Sequence, residues 1–298
     1  MVTAIIGFKN RSDYRFENTI LSLSKQTKDF ELIIVDFGST KENYEKQIEI
    51  VHKYGFKNNY RYYKQFVDKP YSMGWAHNLG VYNCNGDTVF FVGSDTFLSK
   101  NAIEVIDNSF KNDNTFKMIA LPWVWLRYKA AGEVIKDFDK WLKIYEPNLL
   151  VQAKSMTHNI ASNAKSEYIY GIHTHIFLSF AIQKKIMQLI GGYDLRFYGP
   201  LSEEDDVKER VERLSVKKDT ECNALIYHQE HDNDGINKLK GNLVDSDLDK
   251  GIISKKYEEF NSKEMIEARF DKNRPTTCNK DEKLIQKFYK EINNYLQS

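Results

Sequence analysis

An α/β fold with a mostly parallel sheet is the prediction, and two observations carry it. Over the first hundred residues short apolar runs alternate with stretches of helical spacing, and each run ends in a polar or glycine-containing turn where a parallel sheet would hand the chain to a crossover helix. A sandwich or a helical bundle would show neither.

Val2 to Phe8 is apolar enough to be a buried strand. After the polar turn Lys9-Asn10-Arg11-Ser12-Asp13, Phe16, Ile20, Leu21 and Leu23 recur near helical spacing, and Phe30 to Phe37 supplies a second strand. Gly38-Ser39-Thr40 closes that strand and can cap a helix running through His52, while the aromatic run Tyr60 to Phe66 suits a third strand. A helix is expected from about Met73 to Tyr82, ended by Asn83-Cys84-Asn85-Gly86-Asp87, and Thr88 to Val92 forms a fourth buried strand that ends at Gly93-Ser94-Asp95-Thr96.

A chain of 298 residues can bury a full core, and one main domain with appendages is expected. Forty-three Lys and Arg against 42 Asp and Glu leave a net charge of +1, so no global field draws nucleic acid or an anionic membrane, and any anion site is local. Three scattered cysteines, Cys84, Cys222 and Cys278, argue against a disulfide framework and for a reducing, cytoplasmic compartment. The apolar opening Ala4-Ile5-Ile6 lacks the flanks of a signal peptide, and no run of 18 apolar residues occurs, so no membrane span is expected.

In an open parallel sheet ligands bind beyond the carboxyl ends of the strands. Asn10 and Arg11 follow the first strand, Asp36 ends the second and Asp95 follows the fourth, so three separated segments should share one crevice.

Several segments along the chain resemble a family 2 glycosyltransferase of the GT-A fold, nearest to chondroitin-polymerase-like and galactosyltransferase-like members. Ile5-Ile6-Gly7-Phe8-Lys9-Asn10-Arg11 stands where that family has an apolar strand ending in Pro-x-Tyr-Asn-Arg, and Ile33-Ile34-Val35-Asp36-Phe37-Gly38-Ser39 where it has Val-Asp-Asp-Gly-Ser. Ala76-His77-Asn78-Leu79-Gly80 resembles Ala-Arg-Asn-x-Gly, and Val92-Gly93-Ser94-Asp95 takes the place of Asp-x-Asp. Gly191-Gly192-Tyr193-Asp194-Leu195-Arg196-Phe197 is similar to Gly-Gly-Phe-Asp-Glu-x-Phe, and the acidic run Glu203-Glu204-Asp205-Asp206 follows where a Glu-Asp motif belongs. The resemblance covers about residues 2 to 231. It implies a Rossmann-like, mostly parallel sheet flanked by helices over 1-232, with 1-100 as the nucleotide-binding half and 118-232 as the acceptor and metal half.

The Glu-Asp motif has two registers. In the similar members an apolar residue lies four places after the motif Glu, an Arg seven places after it and a metal-binding His about twenty-five places after it, and from Glu203 these offsets land on Val207, Arg210 and His228. Glu204 then takes the catalytic position, with Asp205 its rival because Glu204-Asp205 is a literal Glu-Asp pair. Acidic residues in the first turn of a helix are also favoured by its dipole, which is the bland alternative.

The resemblance implies transfer of a sugar, of galactose or N-acetylhexosamine type, from a UDP-sugar to a hydroxyl of a glycan or other acceptor, with inversion at the anomeric carbon. Such chemistry wants a carboxylate to take the hydroxyl proton and a divalent cation to hold the diphosphate. Asp95 and His228 are the implied metal ligands, for Mn²⁺ or Mg²⁺. Phe8, Asn10, Arg11, Asp36, Asn78, Ser94 and Asp95 form the implied nucleotide-sugar site. Asp36 could accept from uracil or ribose, or simply make a turn before Gly38-Ser39, and Asn78 could instead hold a loop. The departures fall on the metal and donor side: Gly93 replaces the first Asp of Asp-x-Asp, Phe37 the second Asp of Val-Asp-Asp, and His77 the Arg before Asn78. A metal site completed by the donor's own phosphates is the expectation.

His173 and His175 share one face if their segment is a strand, and His228 with His231 have the spacing of a helical pair. Trp123 and Trp125 would face one side of a strand, in the core or against a sugar. About 127-170 is expected to be a helical insertion over the acceptor side, and 233-298 a helical extension that packs on the core or on a second copy. A nucleotide-sugar or glycan binder without transfer is the competing function, and a nucleotidyltransferase is disfavoured because Lys9-Asn10-Arg11 stands where a glycine-rich phosphate loop would.

Overall fold

The computed structural model describes residues 1–56, 60–64, 71–111, 115–127, 136–156, 161–162, 168–174, 179–194 and 203–229. His175, Phe197, His231 and the expected C-terminal extension over 233-298, with its possible self-association, lie outside the described residues.

The predicted alternation is present. Strand β1 (Val2–Phe8) leads to α1 (Tyr14–Ser24), β2 (Glu31–Asp36) to α2 (Lys41–Lys53), and β3 (Tyr60–Lys64) to α3 (Met73–Asn83) and β4 (Thr88–Val92). Each helix starts where a short polar side chain can take the place of a missing carbonyl: Asp13 accepts from Arg15 N at 3.0 Å, Thr40 from Asn43 N at 3.4 Å and Ser72 from Trp75 N at 3.3 Å. Beyond them come β5 (Thr96–Leu98), α4 (Ala102–Lys111), β6 (Lys117–Ala120), β7 (Trp123–Leu126), α5 (Phe138–Ser155) and β8 (Ala161–Ser162). The order closes with β9 (Ile169–His173), β10 (Phe180–Gln183), α6 (Lys184–Leu189), α7 (Glu203–Arg213), β11 (Lys217–Thr220) and β12 (Ile226–Gln229).

Seven strands form the main sheet in the order β11-β6-β10-β4-β1-β2-β3. Its β1, β2, β3 and β4 are parallel, and β10 runs antiparallel to both of its neighbours. The chain builds outward from β1 to β3 on one side and then returns to lay β4 on the other side, so the order reverses between β1 and β4. A crevice opens at such a reversal because the two connections leave in opposite directions. Arg11 follows β1 and Asp95 follows β4, on the two lips of that crevice.

Every residue of β1 is buried, because both faces of the sheet are covered. Alternate residues serve alternate faces: Ile5, Ile33 and Val35 pack with Trp75 and Leu79 of α3, while Ala4, Ile6 and Ile34 pack with Phe16 and Ile20 of α1. A second sheet, β5-β12-β7-β9-β8, carries its own core of Phe97, Val124, Leu126 and Tyr227 beneath Trp141 and Leu142 of α5.

Two expectations change here. The 127-170 segment does supply a helix, α5, but its end is a strand: β9 pairs antiparallel with β7, setting Trp123 opposite His173. His228 lies on β12, not on a helix, because Ile226 to Gln229 pair with Trp123 to Leu126 of β7. Strand partners far along the chain override a local spacing of three residues.

His77 fills the core beneath α3. Its ring stacks on Phe91 at 4.6 Å, its Nδ1 has no hydrogen-bond partner among the described residues, and burial lowers its pKa to about 3. Between that value and the ordinary one near 6.5 the unfolded chain binds a proton that the folded chain refuses, so stability is full above about pH 6.5 and falls as the pH drops. His77 alone contributes a loss approaching about 1.4 kcal/mol per pH unit well below pH 6.5, read in urea unfolding as the difference in slope between wild type and His77→Phe, because buried carboxyls such as Glu203 act with the opposite sign. Equal slopes in the two proteins would contradict the assignment.

Candidate active site at the carboxyl ends of the strands

The loop after β1 is held from the side by α2 and the β2 turn. Asn10 adopts φ 54°, its N–H donates to Ser39 Oγ at 2.7 Å, and its side-chain oxygen accepts from Thr40 N at 2.9 Å. Gln47, buried on α2, donates to the Arg11 carbonyl at 2.8 Å. Arg11 is thereby aimed across the crevice, and its guanidinium comes within 3.6 Å of Asp95 Oδ2.

Asp95 lies in the turn by which the chain leaves the main sheet for the second one. The Thr96 N–H and hydroxyl both donate to the Gly93 carbonyl, at 3.2 and 2.8 Å, and close that turn. Gln229 N donates to the Asp95 carbonyl at 3.0 Å, which brings the end of β12 alongside. His228 Nε2 then stands 4.0 Å from Asp95 Oδ2. Its ring is clasped by two indoles, stacked on Trp123 at 5.1 Å and tilted against Trp125 at 4.4 Å. Trp125 in turn meets the half-buried His173 at 5.8 Å, and burial lowers the pKa of that histidine.

Beside the start of α3, α7 presents the acidic run. Glu203 is buried and faces inward: its carboxylate accepts from Ser72 Oγ at 3.0 Å and from the N–H groups of Met73 and Gly74, the free donors at the start of α3. Burial first and the neighbouring Glu204 second push its pKa well above the usual carboxylate range, against the pull of those donors. Glu203 is thus committed to holding α3 and α7 together. Glu204 is half-buried and close enough to Tyr71, Tyr193 and Glu203 to raise the pKa of all three. Asp205 belongs to the helix, but its side chain is outside the described residues. Val207 is in the core, and Arg210, 1% exposed, pairs with Asp206 at 2.8 Å while donating to the carbonyls of Ile190 and Gly192 at 2.7 and 2.8 Å.

Four of the residues expected to touch a donor are used inside the protein. The Phe8 ring is 2% exposed and packed edge-on against Phe16 at 4.8 Å. Asp36 is wholly buried, accepting from Ser39 N at 2.8 Å and Tyr62 OH at 3.2 Å, and burial raises its pKa, so its geometry is that of the turn. Both halves of the Asn78 amide bind the backbone of Tyr193, each at 2.8 Å, and a β-carbon at Gly192 (φ 73°) would stand 2.4 Å from the Asn78 oxygen. Asn10 clamps two loops. Arg11, Asp95, Glu204 and His228 are partly exposed, and Ser94 next to Asp95 is 8% exposed.

A model of the family described as glycosyltransferase like family 2 matches residues 3–242, well over half of the chain. This chain belongs to that glycosyltransferase family. It is 28% identical over 114 residues to the cholesterol galactosyltransferase of Borreliella burgdorferi, an alignment covering 38% of this chain and 30% of that one. Residues 1-349 of S. aureus TarS superpose with a TM-score of 0.51 at 14% identity, over 80% of this chain and 62% of that one, and the same fragment in complex with UDP-GlcNAc does so over 78% and 59%. GalNAc-T7, solved with UDP, GalNAc and Mn²⁺, gives 0.55 at 12% identity over 78% and 44%. These likenesses show a shared GT-A fold, and the chain spans less than two thirds of each of these proteins.

Does the glycosyltransferase site suit a divalent cation? Imidazole nitrogens and carboxylate oxygens lie about 2.0–2.2 Å from a bound metal, so His228 and Asp95, 4.0 Å apart, would have to draw closer to hold one ion side by side. Among the described residues no third His, Cys, Asp or Glu joins them. Gly93 removes the carboxylate that the usual Asp-x-Asp would add. The donor set therefore fits Mn²⁺ or Mg²⁺ only if a diphosphate and water complete it, as is common for these ions.

Sequence reasoning missed Asn18 and Gln229. Their fully buried side-chain amides meet at 2.7 Å, and Gln229 also donates to the Arg15 carbonyl at 3.1 Å, so α1 locks the strand that carries His228. An asparagine on the apolar face of α1, and a glutamine directly after His228, were the available signals. Among the described residues no helix is long and apolar enough to cross a membrane.

Proposed function

We propose that this chain is an inverting glycosyltransferase that moves a galactose- or N-acetylhexosamine-type sugar from a UDP-sugar to a hydroxyl of a glycan or other acceptor, using cytoplasmic nucleotide sugar. The observation that carries the proposal is the approach of Arg11 and His228 to Asp95, at 3.6 and 4.0 Å, where β1, β4 and β12 end. Arg11 offers fixed positive charge to a diphosphate, and Asp95 with His228 would hold the cation, which when bound neutralises charge developing on the leaving group. Glu204, or its neighbour Asp205, takes the acceptor proton as the acceptor oxygen bonds to the anomeric carbon. The bond from that carbon to the diphosphate oxygen breaks with its electron pair, and attack opposite the leaving group inverts configuration.

A UDP donor is supported by the UDP-bound relatives of the same fold, and a galactose-type sugar by the partial likeness to a galactosyltransferase. A second reading, a donor or glycan binder without transfer, is favoured by one observation, Gly93 in place of an acidic residue.

A panel of UDP- and GDP-sugars, scanned for thermal stabilisation with and without Mn²⁺ and then assayed for hydrolysis and transfer, separates the two readings. Stabilisation by a UDP-sugar that grows with Mn²⁺, followed by turnover, is the expected result. His228→Ala should abolish most of the Mn²⁺-dependent part of the shift, measured from the variant's own melting temperature without ligand, which loss of the ring between Trp123 and Trp125 should lower. Stabilisation without any turnover would favour the binder, and a shift equal in His228→Ala would remove His228 from the metal site.

A further inference from the structure

Between the two ends of the crevice lies a side chain with no role so far. Tyr71 is the last residue before the Ser72 cap of α3, and Ser72 is the residue that donates to Glu203. This fixes the backbone of Tyr71 next to α7. Its ring meets Phe37 edge-on at 6.0 Å, and its hydroxyl reaches the carboxyl end of β1, where a β-carbon added to Gly7 would stand 2.9 Å from it. Gly7 has no side chain, so the phenol can lie directly over the strand end from which the Arg11 loop departs.

The charges acting on Tyr71 come from both walls. Burial, then Glu203 and Glu204 on one side and Asp95 on the other, push its pKa well above the ordinary value, with Arg11 opposing. The phenol is neutral at any physiological pH and keeps its proton to donate. None of the hydrogen bonds among the described residues uses its hydroxyl, which is not among the sealed-off polar atoms either.

We propose, resting on the donor reading above, that Tyr71 is a sugar-recognition residue whose hydroxyl hydrogen-bonds a ring hydroxyl of the sugar being transferred. The placement follows from the reaction's geometry. In-line displacement sets the anomeric carbon between the leaving diphosphate and the hydroxyl facing the base. With the diphosphate end at Arg11, Asp95 and His228 and the base end at Glu204, the sugar ring occupies the stretch between them, and Tyr71, tied to the Glu203 wall through Ser72 and with its hydroxyl over Gly7 at the end of β1, reaches that stretch. A hydroxyl both donates and accepts, so it suits another hydroxyl rather than a phosphate, and it sits apart from the groups that would bind the nucleotide.

The test compares UDP with UDP-galactose and UDP-N-acetylglucosamine, each titrated calorimetrically with Mn²⁺ into wild type and Tyr71→Phe, a change that keeps the ring against Phe37. For whichever sugar nucleotide wild type binds more tightly than UDP, Tyr71→Phe should weaken binding about three- to ten-fold, the size of one net hydrogen bond, and leave UDP affinity unchanged. Affinities for UDP and UDP-sugar that both stay the same, or that fall together, would overturn the assignment while leaving the donor reading intact. A wild-type chain that binds none of the three would overturn the donor reading itself, and the role of Tyr71 with it.

Discussion

Replacing Glu204 by glutamine is expected to lower the transfer rate about 10²- to 10⁴-fold, the usual contribution of a positioned proton acceptor, with little change in donor affinity. The choice of Glu204 over its neighbours follows from where each carboxylate goes. Glu203 is spent on Ser72 and the first N–H groups of α3, and Asp206 on Arg210, so neither is available to an acceptor hydroxyl. The variant should not be less stable than wild type. Glu204 is second only to burial in raising the pKa of Glu203, so removing its charge relieves a repulsion inside the protein. A drop in activity at an unchanged or raised melting temperature is therefore the signature. Asp205→Asn is the control: if it loses transfer while Glu204→Gln keeps it, the other register of the acidic motif is correct, and if both keep full activity no residue of this pair is the base.

Arg210→Ala should be among the most damaging single changes to stability, costing about 3–5 kcal/mol in guanidinium unfolding. Removing one member of a buried ion pair leaves the other uncompensated, and both Arg210 and Asp206 are almost wholly excluded from solvent. Here the guanidinium also holds the carbonyls of Ile190 and Gly192, so the Gly191-Gly192 turn and the Tyr193 backbone clamped by Asn78 should loosen with it. Arg210→Met combined with Asp206→Leu should recover much of the loss, since no charge is left stranded, but not the part owed to the two carbonyls. A single variant within 1 kcal/mol of wild type would mean that water reaches Asp206 easily and that the pair is not the clamp described.

The alternation of β1, α1, β2, α2, β3, α3 and β4 was legible because each element is local: an apolar run, a helical period and a polar cap all lie within about a dozen residues. The offsets from Glu203 to Val207 and Arg210 came from the resemblance to the family, and α7 carries all three residues. His228 shows where that reasoning stops. Its spacing from His231 suggested a helix, yet pairing with β7 and β5 makes its segment a strand, and strand pairing depends on partners that spacing does not encode. Phe8, Asp36 and Asn78 resemble family motif residues, but whether such a residue points at a ligand or into its own fold depends on which neighbours occupy its other side.

The sequence by itself determined the fold class, because that follows from periodicity and order, and its motifs carried the resemblance to the family. Only the tertiary structure decided that Glu203 holds two helices together, that Asn18 and Gln229 lock the strand of His228, and that Tyr71 lies over Gly7 between the two walls. These are contacts between segments up to 211 residues apart. A hydrogen bond or an ion pair is made by proximity in space, and proximity between distant segments exists only once the sheets have set their order.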